Sequence, residues 1–417
     1  PTNAGWLQAI IGVGAGNRSK YLNLEATRDG VHAIIAGGTG AGKSELLMTL
    51  IVSLALRYDP SMLNFVLVDY KGGGAFKPFE HLPHCVSTVT NLNKAAVKRM
   101  FTAIRAELEA RQKLNVETKT ENIVDYQRNG YPLSGKPYPF LFIIIDEYAE
   151  MISDNPEFRE ELDSITRVGR AQGVHLFLAS QRPTGVSDQM RENIKLRICL
   201  RVEQVDTSRE LLRRSDAAYL PSEMPGRGYL QVGNENIELL QAAYTGEIIE
   251  DAELLQNGRY PRFYDIVVRL AQEILEAKQT ARPRTPWPPP LPATLNFDDQ
   301  LIEAYLDPSY YPLLTRGDTT RLALNPFVTE WASRDGRWYG AKWQQTAMQA
   351  VVGLLDDPRG ARQIPLVVNF ARGHAVLFGA SGWGKTTFLR SLVVSLASTH
   401  SPAELHVHVL GLGGRGL

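Results

Sequence analysis

The 417-residue sequence predicts an α/β protein, in which helices cover both faces of a mainly parallel sheet and the same domain type occurs in tandem. Three observations predict this fold. Apolar runs of strand length alternate with amphipathic helical segments over the first 250 residues, as in parallel sheets. A glycine-rich G-x-x-x-x-G-K-[ST] motif stands between one such strand and the next helix. The same strand, motif and helix recur near the end of the chain.

The strands are predicted from short apolar runs. Several of these runs are apolar at every position, as expected of strands covered on both faces. They are VHAIIAGG, NFVLVDY, CVSTVT, FLFIIID, VHLFLAS, LRICLRV, GRGYLQV and ELLQAAY. The segments SELLMTLIVSLALRY and AVKRMFTAIRAELEARQKL carry apolar residues three and four positions apart, which predicts helices.

Composition limits the class of protein. The chain is 44% hydrophobic and 22% charged, with 45 basic and 45 acidic residues, so it lacks the positive field that draws a whole chain onto DNA. Cys85 and Cys199 match no zinc spacing, and we expect buried structural thiols in a reducing compartment. Because the sequence opens on Pro1 and has no apolar run of about 20 residues, we expect a soluble piece of a longer protein, whose flanks have room for a membrane anchor.

The pattern changes after about residue 247. YDIVVRLAQEILEAKQ predicts one helix, and six prolines then fall between Pro283 and Pro292, which predicts a semi-rigid extended connector. A mixture of strand and helix patterns rich in Tyr and Trp follows to about 350. We therefore expect a first domain over 1–250, a helix plus proline-rich linker over 251–345, and the N-terminal part of a second domain over 346–417.

An internal repeat supports the tandem arrangement. HAIIAGGTGAGKSELL at 32–47 aligns without gaps on HAVLFGASGWGKTTFL at 374–389, an offset of 342 residues. Ser53, Leu54 and Ala55 then fall on Ser395, Leu396 and Ala397. A period this long indicates duplicated domains rather than a solenoid. The chain stops after the second predicted strand of the copy, so most of the second sheet is missing from it.

The first motif has the pattern of a phosphate-binding loop. Its glycines let backbone N–H groups surround a phosphate, and the following helix adds its dipole. Lys43 is expected to reach the β- and γ-phosphates of ATP, and Ser44 to place its hydroxyl on Mg²⁺. The predicted binding residues are Gly37, Gly38, Thr39, Gly40, Ala41, Gly42, Lys43 and Ser44.

A second match in the same register argues against the alternative, a glycine-rich turn that precedes a helix by chance. Its lysine and threonine are intact, so we expect Thr386 to meet a second Mg²⁺. The residues are Gly379, Ala380, Ser381, Gly382, Trp383, Gly384, Lys385 and Thr386.

Two carboxylates follow the strand FLFIIID, at the edge of the sheet where open α/β folds bind ligands. Asp146 is expected to hold the metal, directly or through water, and Glu147 to orient or deprotonate the attacking water. Gln181, at the end of VHLFLAS, is a candidate sensor of the γ-phosphate. The alternative for Gln181 is a polar strand end that faces solvent.

Phosphoryl transfer usually needs an arginine as well. The candidates are Arg167, Arg170 and Arg182, and the alternative for each is an ordinary solvated side chain. Asp69 ends the strand NFVLVD, where it is either a further acid of the site or a turn former ahead of Lys71-Gly-Gly-Gly74.

Several segments together resemble the FtsK/SpoIIIE group of RecA-like motor ATPases, and most of all the EccC/EssC ATPases of type VII secretion. They are IAGGTGAGKSELL, FVLVDYKGGGAF, LPHCVSTVTNL, FIIIDEYAEM, RVGRAQGVHLFLASQRP and, near the end of the chain, FARGHAVLFGASGWGKTTFLR. Lys43, Ser44, Asp146 and Glu147 match that family's catalytic pattern, and Gln181 matches its sensor, although Ser180 replaces the usual Thr.

The resemblance implies a RecA-like fold that uses ATP and Mg²⁺. It implies tandem ATPase domains on the cytosolic side of a bacterial membrane anchor, hexameric rings, and work alongside other membrane subunits of the secretion system. The implied substrates are exported, folded WXG100-type helical hairpins. Gly411 replaces Asp69 in register, whereas Lys385 and Thr386 are intact. We therefore expect the second site to bind nucleotide as a structural ligand, and the alternative is an active second motor.

Two alternatives come from other classes of function. One is a double-stranded DNA translocase of the same group, which the charge balance and the tandem arrangement disfavour. The other is a nucleotide-gated scaffold with a latent ATPase, held inactive by a linker between about 260 and 345 that docks on the first domain.

Overall fold

The structure, a computed structural model, describes residues 7–90, 94–136, 138–234, 237–255, 258–279, 282–286, 291–292, 294–295, 348–400, 402–403 and 405–410. The chain divides into two compact units, Pro1–Pro286 and Trp287–Leu417. Most of the Tyr- and Trp-rich segment of the predicted linker lies outside the described residues.

Unit 1 is built on one ten-stranded sheet. In spatial order its strands are β2, β1, β10, β9, β8, β3, β7, β6, β4 and β5. In chain order they are β1 Gln8–Val13, β2 Ser19–Asn23, β3 Ala33–Ala36, β4 Leu63–Asp69, β5 Cys85–Thr90, β6 Phe140–Asp146, β7 Val174–Ser180, β8 Leu196–Leu200, β9 Arg227–Val232 and β10 Glu238–Ala242. The six strands from β8 to β5 pair in parallel, and the other four extend the sheet in antiparallel pairs.

The central strands confirm the predicted parallel sheet. Every residue of β4, β6 and β7 is buried, because helices cover both faces of these strands. The hairpin of β1 and β2 was not predicted. Its first strand is partly exposed and carries a β-bulge between Ile10 and Gly12, which obscures the alternation that identifies a strand.

Helices cover the sheet of unit 1. They are α1 Lys43–Arg57, α2 Lys94–Thr118, α3 Ile123–Asp125, α4 Tyr131–Ser134, α5 Tyr148–Asp154, α6 Arg159–Val168, α7 Asp188–Asn193, α8 Val205–Leu212 and α9 Phe263–Ala277. The predicted helix after residue 260 is α9, whose Val267 and Val268 join the core of unit 1. None of the helices in the described part of the chain has the length and apolar composition needed to cross a membrane.

Unit 2 repeats the first part of unit 1. Strands β11 Gln349–Asp357 and β12 Arg362–Asn369 form an antiparallel hairpin with a bulge before Gly353. Helix α10, Lys385–Thr399, has the length of α1 at the offset of 342 residues. In both units a helix serine accepts a hydrogen bond from the bulged strand: Ile10 N–H donates to Ser53 Oγ (2.7 Å) and Val351 N–H to Ser395 Oγ (2.8 Å). The duplication therefore includes the hairpin as well as the motif.

The prediction of a paired strand at HAVLFGA in the second copy is wrong. Residues 374–380 form no sheet ladder within the described residues. In unit 1 the equivalent strand β3 is paired on both sides, by β7 and β8, whose counterparts at the offset of 342 would lie beyond residue 417. The register position Gly411 lies outside the described residues.

Candidate functional site

The first glycine-rich loop, which we call the P-loop (residues 37–44), lies between β3 and α1, where hydrogen bonds fix it to neighbouring elements. Gly38 N–H donates to Arg201 O (2.8 Å), and Gly226 N–H donates to Ala41 O (2.8 Å). Gly42 has φ +93° and lies so close to Gly226 that a Cβ atom would be 2.7 Å from its nitrogen. Glycine is therefore required at position 42 by both conformation and space.

The predicted lysine, serine and aspartate come together at the carboxyl end of β6. Asp146 Oδ2 accepts a hydrogen bond from Ser44 Oγ at 3.1 Å, and Asp146 Oδ1 lies 2.8 Å from Lys43 Nζ. Asp146 is only 6% exposed and Lys43 only 7%, so the ion pair is shielded from water. The hydroxyl and carboxylate oxygens form a donor set that suits Mg²⁺.

Glu147 completes this cluster. Its backbone is left-handed, with φ +61° and ψ 42°, and it stands at the N-cap of α5. Its Oε1 accepts a hydrogen bond from Lys43 Nζ, and its side chain is 8% exposed. A non-glycine residue in this conformation is strained, as is common at functional sites. The strained turn directs Glu147 back towards the P-loop lysine.

Gln181 lies at the mouth of a small cavity next to the P-loop. Its Oε1 is 3.4 Å from Thr39 Oγ1. The cavity has a volume of about 100 Å³. Its lining consists of Gly38, Thr39, Gln181, Arg182, Val202, Glu203, Gln204 and Thr207. The structure thus places Gln181 beside the predicted phosphate site rather than facing solvent alone.

The three candidate arginines do not lie together. Arg182 lines the small cavity. Arg167 and Arg170 are exposed near the end of α6, just before the start of β7. β7 has seven residues, so its two ends are about 20 Å apart. Arg167 and Arg170 therefore lie by the edge opposite to the P-loop of their own unit.

Asp69 makes the hydrogen bonds of a turn former and also lies beside the end of β6. Its carboxylate accepts hydrogen bonds from Gly72 N–H (3.0 Å) and Ala75 N–H (3.2 Å). This closes the loop after β4, a strand that lies next to β6 in register, with Asp69 opposite Asp146.

Sequence reasoning missed the role of Lys71 in that loop. Lys71 Nζ lies 2.7 Å from Glu150 Oε1 and 3.7 Å from Glu147 Oε2. The hydrogen bond to Glu150 is the main cause that raises the pKa of the Lys71 ammonium above its usual value. The signal available in the sequence was a lysine in a glycine-rich turn directly after an acidic strand end.

The second glycine-rich loop has positive φ angles at the same two glycine positions as the first. Gly382 and Gly384 have φ +80° and +79°, against +76° and +93° for Gly40 and Gly42. Lys385 Nζ donates to the carbonyl oxygens of its own loop, Gly379 O and Ala380 O, each at 2.6 Å. The Lys385 ammonium therefore donates hydrogen bonds to its own loop, whereas the Lys43 ammonium contacts carboxylates.

A larger cavity, of about 660 Å³, lies at the starts of β4 and β6. There Arg284, at the start of the proline-rich connector, contacts Glu107 of α2 at 2.5 Å. Burial opposes ionisation of Glu107, but Arg111 and Arg284 outweigh it and hold its pKa below the usual value. The beginning of the connector thus contacts the first unit, while an inhibitory effect of the linker stays a prediction.

Cys199 is buried as expected, whereas Cys85 is only partly buried. Both are free, and burial raises the pKa of Cys85 to about 11 and that of Cys199 to about 12. Neither thiol is activated for chemistry.

The chain is similar in sequence to known proteins. The sequence model of the FtsK/SpoIIIE family matches residues 1–185 and 337–416. The type VII secretion system protein EssC of Staphylococcus aureus (strain NCTC 8325 / PS 47) is 33% identical over 95% of the chain. The ESX secretion system protein EccC of Geobacillus thermodenitrificans (strain NG80-2) is 33% identical over 99% of it. The chain spans 27% of the length of each of these relatives.

A solved structure is similar as well. The cytoplasmic domain of the Thermomonospora curvata type VII secretion ATPase EccC has a TM-score of 0.77 and 32% sequence identity to this chain. The likeness covers 96% of this chain and 43% of that one.

Proposed function

The chain belongs to the FtsK/SpoIIIE family, and from this premise we propose that unit 1 hydrolyses Mg-ATP to drive protein export through a type VII secretion system. The observation that carries the proposal is the shielded cluster of Lys43, Ser44, Asp146 and Glu147. It occurs in a chain that is 33% identical to EssC and EccC proteins of such systems.

Each residue of the cluster has a proposed task. Lys43 leaves its two carboxylates and binds the β- and γ-phosphates, and the backbone N–H groups of the P-loop surround them. Ser44 and Asp146 would hold Mg²⁺, which neutralises charge on the phosphate oxygens when it is bound. Glu147 orients the attacking water and accepts its proton.

Peripheral residues complete the proposal. Gln181 senses the γ-phosphate, since it lies beside Thr39 of the P-loop. Arg182 is in place to act within its own unit. Arg167 and Arg170 are exposed near the opposite edge and would act on the site of a neighbouring copy in a hexameric ring.

The second site has a different proposed role. The loop from Gly379 to Thr386 binds nucleotide as a structural ligand, with Thr386 on Mg²⁺. Its support is a backbone like that of the first loop, together with a lysine that rests on carbonyl oxygens of its own loop rather than on carboxylates.

The location, the partners and the substrates of the protein are also part of the proposal. The tandem ATPase domains work on the cytoplasmic side of the bacterial membrane, tethered to it and in contact with other membrane subunits of the secretion system. The substrates are exported WXG100-like helical-hairpin proteins. We keep the proposed divisions at 1–250, 251–345 and 346–417, the last being the N-terminal part of a second ATPase domain.

The test is the stimulation of ATP turnover. The purified chain is assayed with a WXG100-type export protein and, separately, with double-stranded DNA at low and high salt. We expect the export protein to raise turnover and DNA to leave it unchanged. Stimulation by DNA that weakens steeply with salt, without stimulation by the export protein, would show a DNA translocase instead.

A further inference from the structure

The loop after β4 is held in a fixed shape against α5, with Tyr70 bound at the end of the helix and Lys71 at its first turn. Asp69 closes it through the N–H groups of Gly72 and Ala75. Tyr70 attaches it to α5, because its hydroxyl donates to Asp154 Oδ2 at 2.6 Å. The residue between these anchors, Lys71, is therefore presented to α5 by a loop fixed on both sides.

Lys71 reaches two carboxylates of that helix start. Its Nζ lies 2.7 Å from Glu150 Oε1 and 3.7 Å from Glu147 Oε2. Glu147 is the N-cap of α5 and Glu150 is in its first turn, three positions apart, so the two side chains share one side of the helix. The Lys71 ammonium thus links the carboxylate of Glu147 to that of Glu150 in the first turn of α5.

Glu147 has a cation on each oxygen. Lys43 contacts Oε1 and Lys71 contacts Oε2, and these are the two ammonium groups within 4.0 Å of Glu147 in the described part of the chain. The Glu147 side chain is 8% exposed, and a shielded carboxylate needs a partner. In the proposed hydrolysis Lys43 moves to the phosphates, and Lys71 is then the ammonium group that remains beside Glu147.

We propose that Lys71 is a positioning residue, which holds the carboxylate of Glu147 in its working orientation after Lys43 has turned to the phosphates. This inference rests on the proposed function. In this role Lys71 acts through Glu147 and takes no direct part in the reaction. Glu150 fixes the other side of the Lys71 ammonium.

The plain alternative is an ordinary surface ion pair. Lys71 and Glu150 have side chains 42% and 49% exposed, and such pairs contribute little to stability. That alternative explains the contact with Glu150 but assigns no consequence to the contact with Glu147. The two explanations therefore predict different effects of Lys71 on catalysis rather than on stability.

The test measures kcat and KM for ATP in the full chain. Lys71→Met removes the charge and keeps the length, and we expect kcat to fall about 10- to 100-fold, the scale of a misplaced reacting group. KM and the affinity for a non-hydrolysable ATP analogue stay unchanged. Lys71→Arg keeps the charge and restores most of kcat.

A matched control is Lys94→Met. It breaks the exposed pair between Lys94 and Glu157, which has the same 2.7 Å separation and belongs to no part of the proposed site. We expect wild-type kcat from this variant.

The proposal fails if Lys71→Met keeps wild-type kcat, if it raises KM at constant kcat, or if Lys71→Arg is no better than Lys71→Met. Glu147→Gln, assayed in parallel, separates this failure from that of the proposed function. If the wild type does not hydrolyse ATP, or if Glu147→Gln turns over normally, both proposals are overturned. If these two behave as expected and only the Lys71 variants do not, the positioning role alone is wrong.

Discussion

At the scale of single residues, Lys43 determines the charge balance of the site. Its ammonium contacts Asp146 and Glu147, and all three side chains are less than 10% exposed. Lys71 contacts Glu147 and Glu150 as well, so two ammonium groups face the three carboxylates of Asp146, Glu147 and Glu150, which leaves the cluster one positive charge short. A divalent cation beside Asp146 would correct that imbalance when Lys43 moves to a phosphate.

Two buried histidines predict how stability depends on pH. Burial lowers the pKa of His32 to about 4 and that of His175 to about 3, from a usual 6.5. The unfolded chain takes up these protons below pH 6.5 and the folded chain does not, so stability falls as pH falls. Between pH 7.5 and pH 5 each histidine is expected to cost about 2 kcal/mol, measured by urea unfolding.

His175→Phe provides the comparison for this prediction. His175 stacks on Phe142, with ring centroids 4.3 Å apart, and a phenylalanine keeps the aromatic contact without the titration. We expect this variant to lose less stability between pH 7.5 and pH 5 than the wild type. Equal losses in the two proteins would show that His175 does not contribute.

The sequence was sufficient to bring Lys43, Ser44, Asp146 and Glu147 together. Parallel strands end at one edge of a sheet, so residues that come directly after two such strands meet there. The contact of Lys71 with Glu147 could not be predicted, because it depends on β4 lying next to β6. Strand order is determined by how the whole sheet packs rather than by any one segment.

At the scale of elements, the P-loop depends on glycine for two separable reasons. Gly40 and Gly42 both have positive φ, but a Cβ atom meets nothing within 4 Å at Gly40 and lies 2.7 Å from Gly226 N at Gly42. Gly40→Ala is expected to cost about 1–2 kcal/mol of unfolding free energy from conformation alone. Gly42→Ala is expected to cost more, and equal losses in urea unfolding would contradict the close approach.

The hairpin of β1 and β2 is joined to α1 through Ser53. Removing its hydroxyl in Ser53→Ala leaves Ile10 N–H without its acceptor, and we expect a loss of about 1 kcal/mol. Hydrogen exchange at Ile10 should become faster. Thr102→Ala, which removes an exposed hydroxyl bonded within its own helix, is the control. Unchanged exchange at Ile10 in Ser53→Ala would contradict the assignment.

The prediction of strand bounds from the sequence succeeded where the strands are buried. The bounds of β6 and β7, which are buried at every residue, match the apolar runs FLFIIID and VHLFLAS. It failed for the bulged hairpin, where twist and exposure break the alternation. It also failed for residues 374–380, where the local sequence favours a strand but no neighbouring strand in the described part of the chain pairs with it.

At the scale of the whole molecule, the two units begin alike, and the carboxylates of the proposed active site belong to the later elements of unit 1. Both units have a hairpin, a serine contact, a glycine-rich loop and a helix. The carboxylates that contact Lys43 come from β6 and the turn after it, outside the repeated part. The proposed hydrolysis therefore concerns unit 1, where these carboxylates contact the P-loop lysine.

The most direct test of this assignment compares ATP turnover and ATP binding in the full chain and two variants. Glu147→Gln is expected to bind ATP, measured by calorimetry, and to lose hydrolysis. Lys43→Ala is expected to lose both, since it removes the cation that binds the phosphates. Normal turnover in Glu147→Gln would contradict the assignment of the base and with it the central claim.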